Sequence, residues 1–127
     1  MIHLQVLPDT FFICQIGLDE AIPQSVFALN FYSVTKTSDE ISIITNSFIE
    51  MPSAKINAGW KGFKVEGVLD FSLTGIINRI TKPLKENNIS VFVTSTYNTD
   101  YVFVKEANLE KTIEVLNNTP DISINNI

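Results

Sequence analysis

The sequence predicts an α+β fold made of two βαββαβ halves, with helices covering one face of each sheet. In the second half, short runs of β-branched and aromatic residues alternate with two stretches of helical periodicity. In the first half, similar strand-like runs follow in the same order, with room for short helices only. The chain has 127 residues, which suits one compact domain or two very small ones that share a core.

The first half, residues 1–57, is predicted to be a degenerate copy of the second. Its β-branched and aromatic runs predict three strands, at residues 10–16, 30–35 and 41–45. The polar segment between the last two strands favours a hairpin turn. A short helix is predicted around Pro23, because proline suits a first helical turn, and another is predicted around Phe48.

The second half, residues 58–127, is predicted to be the complete unit, and it follows a linker at residues 51–59 that lacks periodicity. Its apolar runs predict three strands, at residues 60–66, 89–94 and 101–104. The tail after Pro120 either adds an edge strand through Ile122 and Ile124 or frays.

Two helices are predicted in the second half. The first begins near Ser72, with Ser72 or Asp70 as its N-cap. Its apolar side chains recur at helical spacing, at Leu73, Ile76, Ile77, Ile80 and Leu84. The second helix spans residues 109–116. The order of elements in this half is therefore the ferredoxin-like arrangement.

The composition excludes several classes of function. The chain has 9 basic and 14 acidic residues, a net charge of −5 and no Lys/Arg cluster, so we expect no nucleic-acid binding. One cysteine, Cys14, and one histidine, His3, are too few for a structural zinc site. They also make a poor catalytic set, so we expect neither an enzyme nor a cofactor.

We also expect no membrane partner. No apolar stretch approaches the roughly 20 residues of a membrane-spanning helix. The N-terminal segment has neither the basic region nor the apolar run of a signal peptide. A single cysteine fits a reducing compartment, so the expected location is the cytoplasm.

The junction before the first helix of the second half is the first candidate site. A helix N-terminus presents free backbone N–H groups and the positive end of a dipole, which suit a carboxylate. Gly67 permits a tight turn there, and Gly75 lets a backbone or a ligand approach closely. On its own, this segment fits an ordinary capped helix start better than a ligand site.

The polar turn at residues 95–100 is the second candidate site. It carries hydroxyl groups, an aromatic ring and the carboxylate of Asp100, which suits an ammonium group. Alone, Asp100 is more typical of a turn residue that bonds its own backbone. Together, the two segments offer donors for a carboxylate and an acid for an amine, which a free α-amino acid requires. Residues 33–40 carry a similar polar set in the first half, which is also typical of solvated turns.

Residues 59–116 resemble the ACT-domain family. The resemblance rests on the segments 66–75, 89–101 and 104–106, and residues 33–42 look like the matching hairpin of the first half. The chain most resembles small stand-alone proteins with two ACT-like halves, which are similar to aspartate kinase regulatory domains and to the cytosolic arginine sensors of animals. The resemblance implies a ferredoxin-like fold in both halves and a ligand held between ACT units.

The resemblance also implies a set of ligand-binding residues. Those of the strand-to-helix loop, which would face the ligand carboxylate or side chain, are Gly67, Asp70, Phe71, Ser72 and Leu73. Those of the turn and of the first-half hairpin are Thr96, Tyr97, Asp100, Ser33 and Val34. In this set Asp100 would hold the α-amino group, while Thr96 and Tyr97 would line the pocket.

The favoured function is a non-catalytic regulatory or sensor module that binds a free amino acid and forms a homodimer. The alternative is a protein-interaction or assembly module that has no small-molecule ligand because its own side chains fill the pocket.

Overall fold

The computed structural model describes residues 1–67 and 75–125, and in that part of the chain it contains seven strands and two α-helices. In chain order these are β1 (Ile2–Ile16), β2 (Tyr32–Lys36), β3 (Ile41–Thr45), β4 (Lys55–Val65), α1 (Ile76–Glu86), β5 (Val91–Ser95), β6 (Asp100–Lys105), α2 (Leu109–Asn117) and β7 (Ile122–Asn125). Short 3-10 helices lie at Gln24–Ala28 and Glu106–Asn108. The predicted α+β class is therefore confirmed.

The chain forms two compact units. One is Asp9–Trp60, called here the 9–60 unit. The other combines Met1–Pro8 with the described residues after Trp60, and is called the helical unit. The first eight residues are therefore part of the same compact unit as the second half of the chain. The predicted division into ACT-like subdomains at residues 1–57 and 58–127 stays a prediction.

The sheet of the helical unit has the strand order β7-β1-β4-β6-β5. β1 and β7 run parallel, with Ile2 opposite Ile122. β4 joins β1 through a 2.9 Å hydrogen bond from the N–H of Glu66 to the carbonyl of His3. The start of β1 thus lies between the last and the first strands of the predicted βαββαβ unit. The tail forms the strand that the sequence left as one of two alternatives.

Both helices of this unit cover one face of its sheet. The buried core comprises Ile2, Leu4, Phe63, Val65, Ile80, Leu84, Ile89, Val102, Val104, Leu116 and Ile122. Its strand residues occupy alternate positions, because successive side chains of a strand point to opposite faces. Residues such as Lys64 and Tyr101 therefore lie on the other face, which we call the open face.

The 9–60 unit is built on an antiparallel sheet in the order β2-β3-β1. Its core comprises Cys14, Ile16, Val26, Ile41, Ile43 and Met51. The helix predicted around Pro23 is the 3-10 helix that directly follows this proline, and Val26 of that helix is fully buried. The helix predicted around Phe48 is wrong: residues 46–54, all of which are described, contain no helix, and the Phe48 side chain is 60% exposed.

Two boundaries differ from those the sequence predicts. The linker predicted at residues 51–59 is too long, because β4 already begins at Lys55 after a turn closed by the hydrogen bond from Ala54 N–H to the Met51 carbonyl. Gly59 lies inside this strand with φ +79°, a conformation that glycine adopts without strain. The N-cap of α1 is Gly75, at φ 77°, rather than Ser72 or Asp70.

Glu20 links the turn after β1 to the turn before β4 through hydrogen bonds of its side chain. Its carboxylate accepts hydrogen bonds from the hydroxyl of Ser53 (2.5 Å) and from the N–H of Gly17 (3.0 Å). These bonds, that of Ser53 first, lower the pKa of Glu20 below its ordinary 4.5. Because folding lowers this pKa, ionised Glu20 stabilises the fold above about pH 4.5, and the stabilisation disappears as the pH falls through the lowered pKa.

Glu20→Gln should therefore lower the urea midpoint of unfolding modestly at neutral pH. Below the lowered pKa of Glu20 the two proteins should unfold at the same urea concentration, because the native carboxyl is then protonated. Urea titrations of both proteins at neutral and acid pH measure this convergence. The control Glu50→Gln, at an exposed position, should match the native protein throughout. A loss that stays constant with pH would contradict the assignment.

Candidate functional site

The turn between β5 and β6 is the best-defined part of the predicted site. Gly67, Thr96, Tyr97 and Asp100 all lie in the helical unit, at this turn or just after β4. The remaining loop residues, Asp70, Phe71, Ser72 and Leu73, lie outside the described part of the chain. The structure thus presents one side of the predicted binding site.

Hydrogen bonds fix the shape of this turn. The N–H of Thr96 donates to the carbonyl of Thr99 (2.8 Å), and the N–H of Thr99 donates to the Thr96 hydroxyl (3.3 Å). The Thr99 hydroxyl in turn donates to the carbonyl of Val65 at 2.6 Å, and Thr99 is only 4% exposed. A buried hydroxyl bonded to a neighbouring strand therefore ties the turn to the end of β4.

A cleft of about 260 Å³ opens between this turn and the end of β4. Its walls are formed by Lys64, Gly67, Thr96, Asn98, Thr99 and Tyr101. Gly67 has φ +86°, a conformation that glycine adopts without strain. Two of the predicted residues, Gly67 and Thr96, thus line one cleft.

Sequence reasoning missed the polar side chains of this cleft. Lys64 and Tyr101 are at strand positions that alternate with the core residues Val65 and Val102. That alternation was the available signal, since it places both polar side chains on the open face. It supplies the cleft with one ammonium group and one phenol group.

Asp100 lies on the other face of the sheet. Along β6 its side chain points to the same face as those of Val102 and Val104, which pack under the helices. Its carboxylate accepts a 2.5 Å hydrogen bond from the hydroxyl of Ser95, the residue opposite it in the hairpin. The acid is therefore held in one orientation on the helix-covered face, and it does not line the open-face cleft.

The other predicted residues are placed apart from this cleft. Tyr97 is 81% exposed at the tip of the turn. Ser33 and Val34 are neighbours on β2 in the 9–60 unit, where Val34 packs against the core of that unit and Ser33 pairs with Ile44. Their role as ligand contacts stays a prediction.

Other chemistries find little support in the described residues. Between residues 1–67 and 75–125, no group of three His, Cys, Asp or Glu side chains is arranged to hold a metal ion. Burial raises the pKa of the Cys14 thiol, which disfavours the nucleophilic thiolate. Neither described α-helix has the length and apolar character needed to span a bilayer.

Comparisons with known proteins agree with this fold. A family model of the ACT domain matches residues 55–118, and a second model, of an N-terminal domain, matches residues 9–47. The human cytosolic arginine sensor for mTORC1 subunit 1 is 29% identical over 103 residues, which cover 72% of this chain and 31% of that protein. The match covers between 29% and 56% of the length of these curated relatives.

Solved structures extend the likeness over the whole chain. A crystal structure of a protein from Agrobacterium tumefaciens is 33% identical, with a TM-score of 0.89, and the match covers 99% of this chain and 93% of that one. The ligand-free regulatory subunit of aspartate kinase from Thermus thermophilus has a TM-score of 0.63 at 11% identity, covering 89% of this chain and 94% of that one. At that identity the likeness concerns the fold alone.

Proposed function

Because the chain belongs to the ACT-domain family, we propose that it is a non-catalytic regulatory module that binds a free amino acid. The observation that carries the proposal is the fixed carboxylate of Asp100, which Ser95 orients beside a turn that Thr99 ties to β4. A carboxylate held in place before the ligand arrives binds an ammonium group without losing side-chain entropy. One relative adds support, since the human protein that is 29% identical is named a cytosolic arginine sensor.

The ligand carboxylate is assigned to the loop that leads into α1. The donors that the sequence predicts for it are the backbone N–H groups of residues 70–73, which lie outside the described part of the chain, just before the N-cap of α1 at Gly75. The finer proposal is that the ligand is held between ACT units in a cytoplasmic homodimer, with Ser33 and Val34 among its contacts. Arginine is one of the amino acids to test, because of the name of the human relative.

The direct test is a thermal-shift and calorimetric screen of the twenty amino acids. One of them should raise the melting temperature by several degrees at 100 times its Kd, since binding then adds about 2.7 kcal/mol of stability. Asp100→Asn should abolish the shift that an amino acid bound at Asp100 produces, because it removes the charge that holds the ammonium group while keeping an oxygen that can accept the Ser95 hydrogen bond. Asp39→Asn, in an exposed turn of the 9–60 unit, is the matched control and should keep the shift.

A flat screen would count against amino-acid binding and favour the second candidate function, an assembly module. One observation supports that alternative. Phe27 and Tyr32 are 46% and 42% exposed and contact each other edge to face at 5.4 Å, at the edge strand β2 of the 9–60 unit. The ligand screen and sedimentation of the same samples together distinguish the two functions. A dimer with no ligand response would point to assembly, whereas a ligand response lost in Asp100→Asn would establish the sensor.

A further inference from the structure

The 9–60 unit carries a cleft of its own, of about 270 Å³. Its polar lining residues are Gln15, Glu40, Ser42, Lys55 and Asn57, and its apolar lining residues are Ile13, Cys14 and Ile56. Gln15 and Ser42 are register partners on β1 and β3, and they alternate with the core residues of both strands. The cleft therefore lies on the side of the sheet that faces away from the core of this unit.

Glu40 is held in place at the edge of this cleft. Its backbone N–H donates to the Thr37 hydroxyl (3.2 Å), and its carbonyl accepts from the Thr37 N–H (2.9 Å). The Gln15 side-chain amide donates to one carboxylate oxygen at 3.2 Å. Backbone and side chain are both fixed, so the negative charge has a defined position before any ligand binds.

Lys55 supplies the opposite charge. It is the first residue of β4, and its ammonium group has no hydrogen-bond or ion-pair partner among residues 1–67 and 75–125. The ion pair within these residues is between Arg79 and Asp121, at 3.3 Å, in the helical unit. Glu40 and Lys55 thus line one cleft without neutralising each other.

We propose that this cleft binds a free amino acid with an aliphatic side chain, at a second site that is separate from the one at Asp100. The ligand ammonium group bonds the carboxylate of Glu40, and the ligand carboxylate bonds the ammonium group of Lys55. The aliphatic side chain packs on Ile13 and Ile56, which give the cleft its apolar wall. A molecule with only one of these charges leaves either Glu40 or Lys55 without a charged partner, so the cleft selects a zwitterion.

The test uses L-leucine as the probe and follows the backbone amide resonances of the isotope-labelled native chain. Leucine should shift the resonances of residues 13–15, 40–42 and 55–57. Two fragments of the probe test the zwitterion requirement: 4-methylpentanoate keeps the carboxylate and 3-methylbutylamine keeps the ammonium group. Each fragment should need at least about tenfold more ligand for the same shift, because each lacks one charge-assisted bond.

Two variants and two controls locate the binding site. Lys55→Met and Glu40→Gln should each weaken leucine binding at least about tenfold, while Lys36→Met and Glu50→Gln, outside the cleft, should not. Native-like spectra of all four variants would establish that they fold. Unchanged binding in both cleft variants, or no leucine shifts at residues 13–15, 40–42 and 55–57, would overturn the proposal. Shifts at residues 95–100 that Asp100→Asn removes report on the first site, so the two proposals fail separately.

Discussion

Replacing Phe103 by alanine should lower the free energy of unfolding by about 3–5 kcal/mol, the largest effect that we expect from one substitution. Phe103 is 0% exposed, although it lies on the face of β6 opposite the helix-covered core residues. Its ring stacks on Phe92, with 4.4 Å between the ring centroids and 10° between the planes. A Cβ atom on Gly62 would lie 3.0 Å from the same ring, so the ring fills the space that this glycine leaves open.

Alanine at position 103 should leave a cavity, because a glycine cannot extend to fill it and Phe92 loses its stacking partner. Urea unfolding followed by circular dichroism measures the loss. The control is Phe48→Ala, at a ring that is 60% exposed, which should cost less than half as much. Equal losses for the two variants would show that Phe103 is not a packing centre of the helical unit.

The strands and helices with strong local patterns could be predicted from the sequence. β3 has the bounds Ile41–Thr45 that its β-branched run indicates, and α2 covers Leu109–Asn117 where apolar residues recur at helical spacing. β6 has an apolar run because its middle is buried on both sides, since Val104 under the helices and Phe103 on the opposite face are both 0% exposed. Local residue patterns were sufficient for these elements because the apolar residues that form each pattern are the residues that the element buries.

The elements that depend on distant partners were mispredicted. The start of β1 pairs with β7, more than 100 residues later, and Pro8 interrupts its sequence pattern. The polar start of β4 at Lys55 looks like a linker because none of its first residues is deeply buried. Such strands owe their existence to pairing across the chain, which local propensity does not encode.

The candidate site divides in the same way. The sequence of the β5–β6 turn shows that a carboxylate and several hydroxyl groups lie close together. The structure adds the hydrogen bonds that hold the side chains of Ser95, Thr96, Thr99 and Asp100. The face on which each lies depends on strand register. Strand alternation puts Asp100 and Tyr101 on opposite faces, and register decides which face each takes. A single residue of slip would turn Asp100 to the open face and would move Tyr101 and Lys64 away from the open-face cleft.

Thr99→Val should lower the free energy of unfolding by about 1–3 kcal/mol and should also weaken amino-acid binding at Asp100. Valine has nearly the shape of threonine, but it leaves the buried carbonyl of Val65 without its 2.6 Å donor. The turn then loses its tie to β4, and the Thr96 N–H, bonded within that turn at 2.8 Å, should exchange with solvent faster.

Hydrogen exchange distinguishes a local effect on the turn from a general loss of stability. The exchange rates of the α2 amides should change only with the global free energy of unfolding, whereas the rate at Thr96 should rise further. Thr99→Ser is the matched control, since it keeps the hydroxyl and deletes only a methyl group, and it should restore both the protection of Thr96 and the ligand response. If valine and serine at position 99 gave the same exchange rate at Thr96, the hydroxyl would not be what holds the turn. The orientation of Asp100 would then depend on Ser95 alone, and Ser95→Ala would become the substitution that disables the site.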